Sequence, residues 1–103
     1  MSYLSLAIHY PKPEHVDDLL AAMHQLNDAL QGTPGLLQIG AWREESSGSI
    51  VAISIWESQE RFQAALGQIS AAVADAPFSE WEDRPRELLR AEEITLPPKG
   101  ELP

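Results

Sequence analysis

Two apolar runs, Leu36–Trp42 and Ile50–Trp56, flank the polar stretch Glu44-Glu45-Ser46-Ser47-Gly48. Rich in Ile, Val and Trp and bounded by turn residues, they read as a β-hairpin. In the second run one parity is Val51, Ile53 and Ile55, and the other is Ile50, Ala52, Ser54 and Trp56. The first run sets Leu36, Gln38, Gly40 and Trp42 against Leu37, Ile39 and Ala41. No parity carries a charge. A sheet with helices on one side and water on the other alternates cleanly between apolar and polar. Strands uncharged on both faces need two covers, and helices supply only one. In a chain of 103 residues the economical second cover is another copy of the chain, packed sheet to sheet. A partly exposed sheet is the alternative.

The flanking segments complete a pattern. Tyr3–Tyr10 alternates as a strand, with Leu4, Leu6, Ile8 and Tyr10 on one face and Tyr3, Ser5, Ala7 and His9 on the other. Pro13 suits the first turn of a helix, and Glu14, Asp17 and Asp18 suit its positive end. Val16, Leu19, Leu20, Met23, Leu26 and Leu30 then recur at helical spacing, and Gly32 is a left-handed stop. Thr33-Pro34-Gly35 turns the chain into the hairpin. After it, Ser58 caps a second helix with Phe62, Ala65, Leu66, Ile69 and Val73 on one side. Phe78–Arg84 forms a short turn, and Arg86–Leu96 reads as a last strand. The order β-α-β-β-α-β is the ferredoxin-like split pattern: an α+β fold with a four-stranded antiparallel sheet and two helices on one face. Residues 1–96 form a single domain and 97–103 a C-terminal tail, because Leu96-Pro97-Pro98 cannot continue a strand.

Composition closes several routes. With no cysteine there is no thiolate chemistry and no cysteine-based metal centre. A net charge of −9 without a Lys/Arg cluster repels phosphate backbones, so nucleic acid is not an expected partner. No apolar run approaches a membrane span and no basic region precedes the first one. The chain is therefore read as cytoplasmic, with no membrane partner.

The run Ile53-Ser54-Ile55-Trp56-Glu57-Ser58, followed by Glu60-Arg61-Phe62, and the Pro34-Gly35 pair before it carry a resemblance. They resemble the antibiotic biosynthesis monooxygenase-like domains of the dimeric α+β barrel superfamily. Phe78-Ser79-Glu80-Trp81-Glu82-Asp83-Arg84-Pro85 is similar to the segment before the last strand in some members. The resemblance spans roughly residues 3 to 96. It implies a homodimer whose sheets form a barrel with one pocket per protomer. It implies a small monooxygenase-like protein that acts on, or binds, an aromatic or quinone-like small molecule, with neither metal nor flavin. The alternative is a non-catalytic ligand-binding or stress-related dimer of the same fold. The family's polyketide oxygenases place an Asn four residues before the strand-end Trp and an aromatic hydroxyl six after it; here those positions are Ala52 and Phe62. Its haem degraders place an Asn on the first strand and a His on the second helix. Residues 2–10 here hold no Asn, the helix position is Leu66, and no His follows His24, which argues against haem.

Oxygenation without a cofactor needs a base, a dry pocket and a substrate that can reduce dioxygen itself. His9 is the candidate base. It shares a strand face with the small residues Ser5 and Ala7, and its alternative is a strand-end His half in solvent. Trp56 and Trp42 have small neighbours, so each either walls a cavity for a flat ring or packs in a core or interface. Ser54 is a candidate hydrogen-bond partner for a substrate, and Phe62 a candidate wall. Phe78 and Trp81 read either as a lid over a pocket mouth or as a plug sealing the core. His24 and Asp28, one helical turn apart, lack a third metal ligand, so no metal site is expected. Glu80, Glu82 and Asp83, beside Arg84 and Arg86, read as a solvated face.

Overall fold

A computed structural model describes residues 1–96 and Gly100; apart from Gly100, the tail assigned to 97–103 lies outside the described residues. Strand β1 (Tyr3–His9) leads through a 3₁₀ turn at Pro13–His15 into helix α1 (Val16–Leu30). Strands β2 (Leu36–Arg43) and β3 (Ile50–Trp56) form the hairpin. Helix α2 (Gln59–Ala72), the single turn α3 (Phe78–Trp81) and strand β4 (Glu87–Glu92) complete the chain. The sheet order is β2-β3-β1-β4 with every neighbouring pair antiparallel. This is the expected α+β ferredoxin-like architecture.

The punctuation acts where the residue types demand. Ser58 caps α2 by accepting from the Arg61 N–H at 3.2 Å. Gly35 has φ +86°, and a Cβ there would lie 2.5 Å from the Arg61 side chain, so both torsion and space require glycine. Strand β4 stops short of the expected Leu96. Its partner β1 begins at Tyr3, opposite Glu92. One more backbone bond, Glu93 N–H to Ser2 O at 2.8 Å, exhausts the ladder.

Register decides which side chains share a face. Tyr3, Ser5, Ala7 and His9 of β1 lie opposite Trp56, Ser54, Ala52 and Ile50 of β3, and this is the face the helices cover. One end holds the main core: Tyr3, Leu30, Trp56, Phe62 and Ala65. Trp56 meets Phe62 nearly edge-on, ring centroids 5.9 Å apart, and Tyr3 lies 5.3 Å from the same ring.

In β2 a bulge between Leu36 and Gln38 breaks the simple alternation. Leu36 pairs with Trp56 on the covered face, whereas Gln38, Gly40 and Trp42 pair with Ile55, Ile53 and Val51 on the other. Parity alone groups Leu36 with Trp42; the extra residue Leu37 separates them. The helix-free face therefore carries Leu4, Leu6, Ile8, Val51, Ile53, Ile55 and Trp42. Along β1, β2 and β3 it is uncharged, and Trp42 is 60% exposed.

The β2–β3 turn is organised by one carboxylate. Glu44 accepts from the N–H and hydroxyl of both Ser46 and Ser47 at 2.6–3.1 Å. These donors, the Ser47 hydroxyl foremost, lower its pKa from 4.5 to about 2. A depressed carboxylate contributes stability above its ordinary value and loses it as pH falls through the folded value. The Ser46 and Ser47 amide resonances are therefore expected to move together with a midpoint near pH 2. Glu44→Gln should abolish that transition. A midpoint at 4.5 would show that the turn does not hold the carboxylate in solution.

Candidate functional site

A cavity of about 230 Å³ lies between the covered face of the sheet and the two long helices. Its origin is a band of small side chains across the middle of the sheet. Ser5 faces Ser54, Ala7 faces Ala52, and Ala41 faces Ala52 from the other side. Helices held off the sheet by the large residues at either end cannot descend to fill that band. Tyr3, Trp56 and Phe62 prop one end; His9 and Ile50 stand at the other. Leu26, Leu30, Leu66 and Ile69 supply an apolar roof.

His9 lines this cavity and is only 5% exposed, so the half-solvated alternative does not hold. Its Nδ1 lies 3.2 Å from Oε2 of Glu82, which is also buried. The placement of Glu82 corrects the reading of residues 80–83 as one solvated face: Glu80 and Asp83 are exposed, but Glu82 points inward. The cause lies in the backbone. The segment after α3 runs antiparallel to the end of β1, with Lys12 N–H to Trp81 O at 2.7 Å and Asp83 N–H to Tyr10 O at 3.1 Å. These two bonds straddle residue 82 and bring its side chain against His9. Phe78 leans on the imidazole, ring centroids 5.5 Å apart.

The second oxygen of Glu82 accepts the Tyr10 N–H at 2.9 Å. An ionised carboxylate only accepts, so the imidazole must donate from Nδ1. In the neutral ring the lone pair then sits on Nε2. Among the described residues Nε2 has no hydrogen-bond partner. Nor is it sealed: among those residues the one fully buried side-chain nitrogen or oxygen without a partner is Thr33 Oγ1. A cavity-lining imidazole, oriented by a buried carboxylate and with a free basic nitrogen, is equipped to take a proton from whatever occupies the space.

The other candidates divide. Ser54 and Phe62 line the cavity with His9. Trp56 does not; it is wholly buried behind the wall, and its Nε1–H donates to Ser54 Oγ at 2.9 Å. It thus orients the serine that faces the space. Trp42 stands on the opposite face of the sheet, separated from the cavity by β2 itself. Trp81 packs edge-on against Phe78 at 5.8 Å and lies behind it, so of that pair only Phe78 reaches the cavity. Ala52 lies in the floor and offers no hydrogen bond. His24 and Asp28 form an exposed pair at 3.8 Å, and among the described residues no three His, Asp or Glu side chains converge to hold a metal.

Three residues join the site that the sequence does not single out for it: Glu82 and Arg86, which read as part of a solvated face, and Arg90. Arg86, Leu88 and Arg90 form an exposed rim of the cavity along the edge strand. The Arg86 guanidinium lies 5.0 Å from the centre of the Phe78 ring, and that of Arg90 lies 4.8 Å from Phe62. Their i, i+4 spacing on alternate strand positions was a usable signal, masked by the acidic residues around them.

Comparison with known proteins agrees with this fold. Residues 2–73 match the family model described as antibiotic biosynthesis monooxygenase. The structure of Rv0793 from Mycobacterium tuberculosis is 14% identical with a TM-score of 0.79, over 93% of this chain and 98% of that one. A conserved protein from Methanosarcina mazei Go1 is 15% identical with a TM-score of 0.80, over 91% and 94%. SnoaB, a cofactor-independent oxygenase from Streptomyces nogalater, is 15% identical with a TM-score of 0.73, over 95% and 98%. At these identities the likeness carries the fold. Comparison with curated proteins finds no match.

Proposed function

The chain belongs to the antibiotic biosynthesis monooxygenase family, and from that premise we propose that it oxygenates an aromatic, hydroquinone- or anthrone-like small molecule in the sheet–helix cavity. The observation that carries this reading is the free Nε2 of His9, held by buried Glu82 at the wall of an apolar space. SnoaB, of the same fold, is a cofactor-independent oxygenase, which supports a reaction whose electrons come from the substrate. His9 removes an acidic C–H or O–H proton. The resulting anion passes one electron to dioxygen, the two radicals combine as a peroxide, and the peroxide loses water. In sum a ring CH₂ and O₂ give a ring C=O and H₂O. The apolar roof keeps bulk water from quenching the anion.

The test is oxygen uptake with a panel of anthrones and hydroquinones. Uptake should exceed the uncatalysed rate and fall steeply toward it when His9 is replaced. A second reading, ligand binding without turnover, is favoured by Ala52 and Phe62, which leave few groups to orient a substrate. Saturable quenching of Trp fluorescence by a panel member that consumes no oxygen would establish it and overturn catalysis.

The functional unit in this proposal is a homodimer. The helix-free face is uncharged along β1, β2 and β3, and apolar there but for Gln38. On a chain of net charge −9, it is the surface on which two copies meet with least repulsion. Leu6 sits at its centre, between Ile53 and Leu89. Light scattering at micromolar concentration should report a dimer, and Leu6→Lys should yield a folded monomer with an unchanged circular dichroism spectrum. A wild-type monomer would remove the barrel.

A further inference from the structure

We infer that the cavity selects ligands bearing a carboxylate, or an equivalent planar anion, and that one of the two rim arginines, Arg86 or Arg90, holds that group. The inference rests on the ligand-binding reading of the cavity but not on catalysis.

The chain has 7 basic residues against 16 acidic ones. Two of the 7 stand at the rim of the cavity. In so acidic a chain an arginine on the surface would be expected to find a carboxylate partner. Among the described residues neither Arg86 nor Arg90 has one within ion-pair distance; the ion pairs found there all involve histidine. Each guanidinium instead lies over an aromatic ring of the cavity wall. Stacking of this kind fixes the plane of the side chain without neutralising it, and leaves the N–H edge free for a bidentate acceptor.

Protection of an edge strand does not account for the pair. A charge of either sign blunts an edge, and this strand already carries Glu87 and Glu92. A neutral aromatic ligand would gain nothing from unpaired cations at the entrance. A ligand with its ring against Ala7, Ala52 and Phe62 and its carboxylate at the mouth would use both the apolar wall and a cation at the rim. Four residue steps separate the two arginines, about 13 Å along the extended backbone. One position lies beside the His9 end and the other beside the Ser5–Ser54 end. The two single variants therefore report which end takes the anion.

The test compares 2-naphthoate with 2-naphthamide by titration calorimetry. The two share ring and size and differ in the charge and donor capacity of the substituent. Wild-type protein should bind the carboxylate at least about tenfold more tightly, and the preference should shrink as salt is raised. Arg86→Gln with Arg90→Gln should bring the carboxylate down to the level of the amide, while one Arg→Lys change retains part of the preference. Both side chains are exposed, so the variant should fold; circular dichroism checks this. Equal affinities in the wild type, or a preference that survives in the double variant, would overturn the inference and leave the cavity as a neutral-ligand site. If neither probe binds, the inference falls together with the ligand-binding reading.

Discussion

Trp56→Ala should destabilise the protein by about 3–5 kcal/mol, the range for removing a large aromatic from a packed core. A domain of this size has a total stability of about 5–15 kcal/mol, so the variant should lose a large share of it and unfold at a markedly lower urea midpoint. The reason is position. Trp56 has no solvent exposure, packs edge-on to Phe62, and shares its end of the sheet with Tyr3 and Leu30. Its removal would also let α2 settle toward the sheet and shorten the cavity. Trp56→Phe keeps most of the packing and loses the hydrogen bond to Ser54, worth about 1 kcal/mol. Trp42→Ala is the control. That side chain is 60% exposed on the helix-free face, and within one chain its loss should cost no more than about 0.5 kcal/mol. In the homodimer proposed above, its effect should appear in the dissociation constant. Urea unfolding at two protein concentrations separates the three. Equal midpoints for Trp56→Ala and Trp42→Ala would mean that the core does not lie at that end.

The contrast between these tryptophans also marks how far the residues themselves reveal the fold. The hairpin boundaries, the Ser58 cap, the Gly32 stop and the β-α-β-β-α-β order are local: each follows from a few neighbouring residues whose torsions or periodicity leave little choice. The small residues on the face of His9 were legible too, and they open the cavity. What was not legible is long-range. Whether Trp42 and Trp56 share a face depends on a bulge at Leu37, and Leu-Leu-Gln does not announce one. Whether Glu82 is solvated or buried depends on how the segment after α3 docks alongside Tyr10–Lys12. Its neighbours Glu80 and Asp83 are exposed as their chemistry suggests, and nothing local distinguishes the residue between them. The last strand ends earlier than its residues suggest, for a related reason. Its apolar members continue to Ile94 and Leu96, but a strand ends where its partner does, and Ile94 and Leu96 remain exposed.

The imidazole–carboxylate pair yields the other large effect. His9→Ala should lower oxygen uptake by about 10²–10⁴-fold, the usual contribution of a positioned base. Free imidazole, small enough for the vacated space, should restore part of it. The variant leaves Glu82 buried with only the Tyr10 N–H for company, so some loss of stability accompanies it. Glu82→Gln is the sharper experiment. The glutamine carbonyl can still accept the Tyr10 N–H, which turns its NH₂ toward Nδ1 of His9. That nitrogen must then accept, and the proton of the neutral ring moves to Nε2. The base becomes a donor with its geometry unchanged. Uptake should fall about as far as in His9→Ala. The loss should lie in kcat with KM little altered, since the cavity walls are untouched. Imidazole should not rescue it, because the site is still filled. A damaged fold would instead raise KM and lower stability together. Wild-type uptake in Glu82→Gln would show that the carboxylate does not set the tautomer. Wild-type uptake in His9→Ala would show that no proton passes through this ring, and the cavity would stand as a binding site alone.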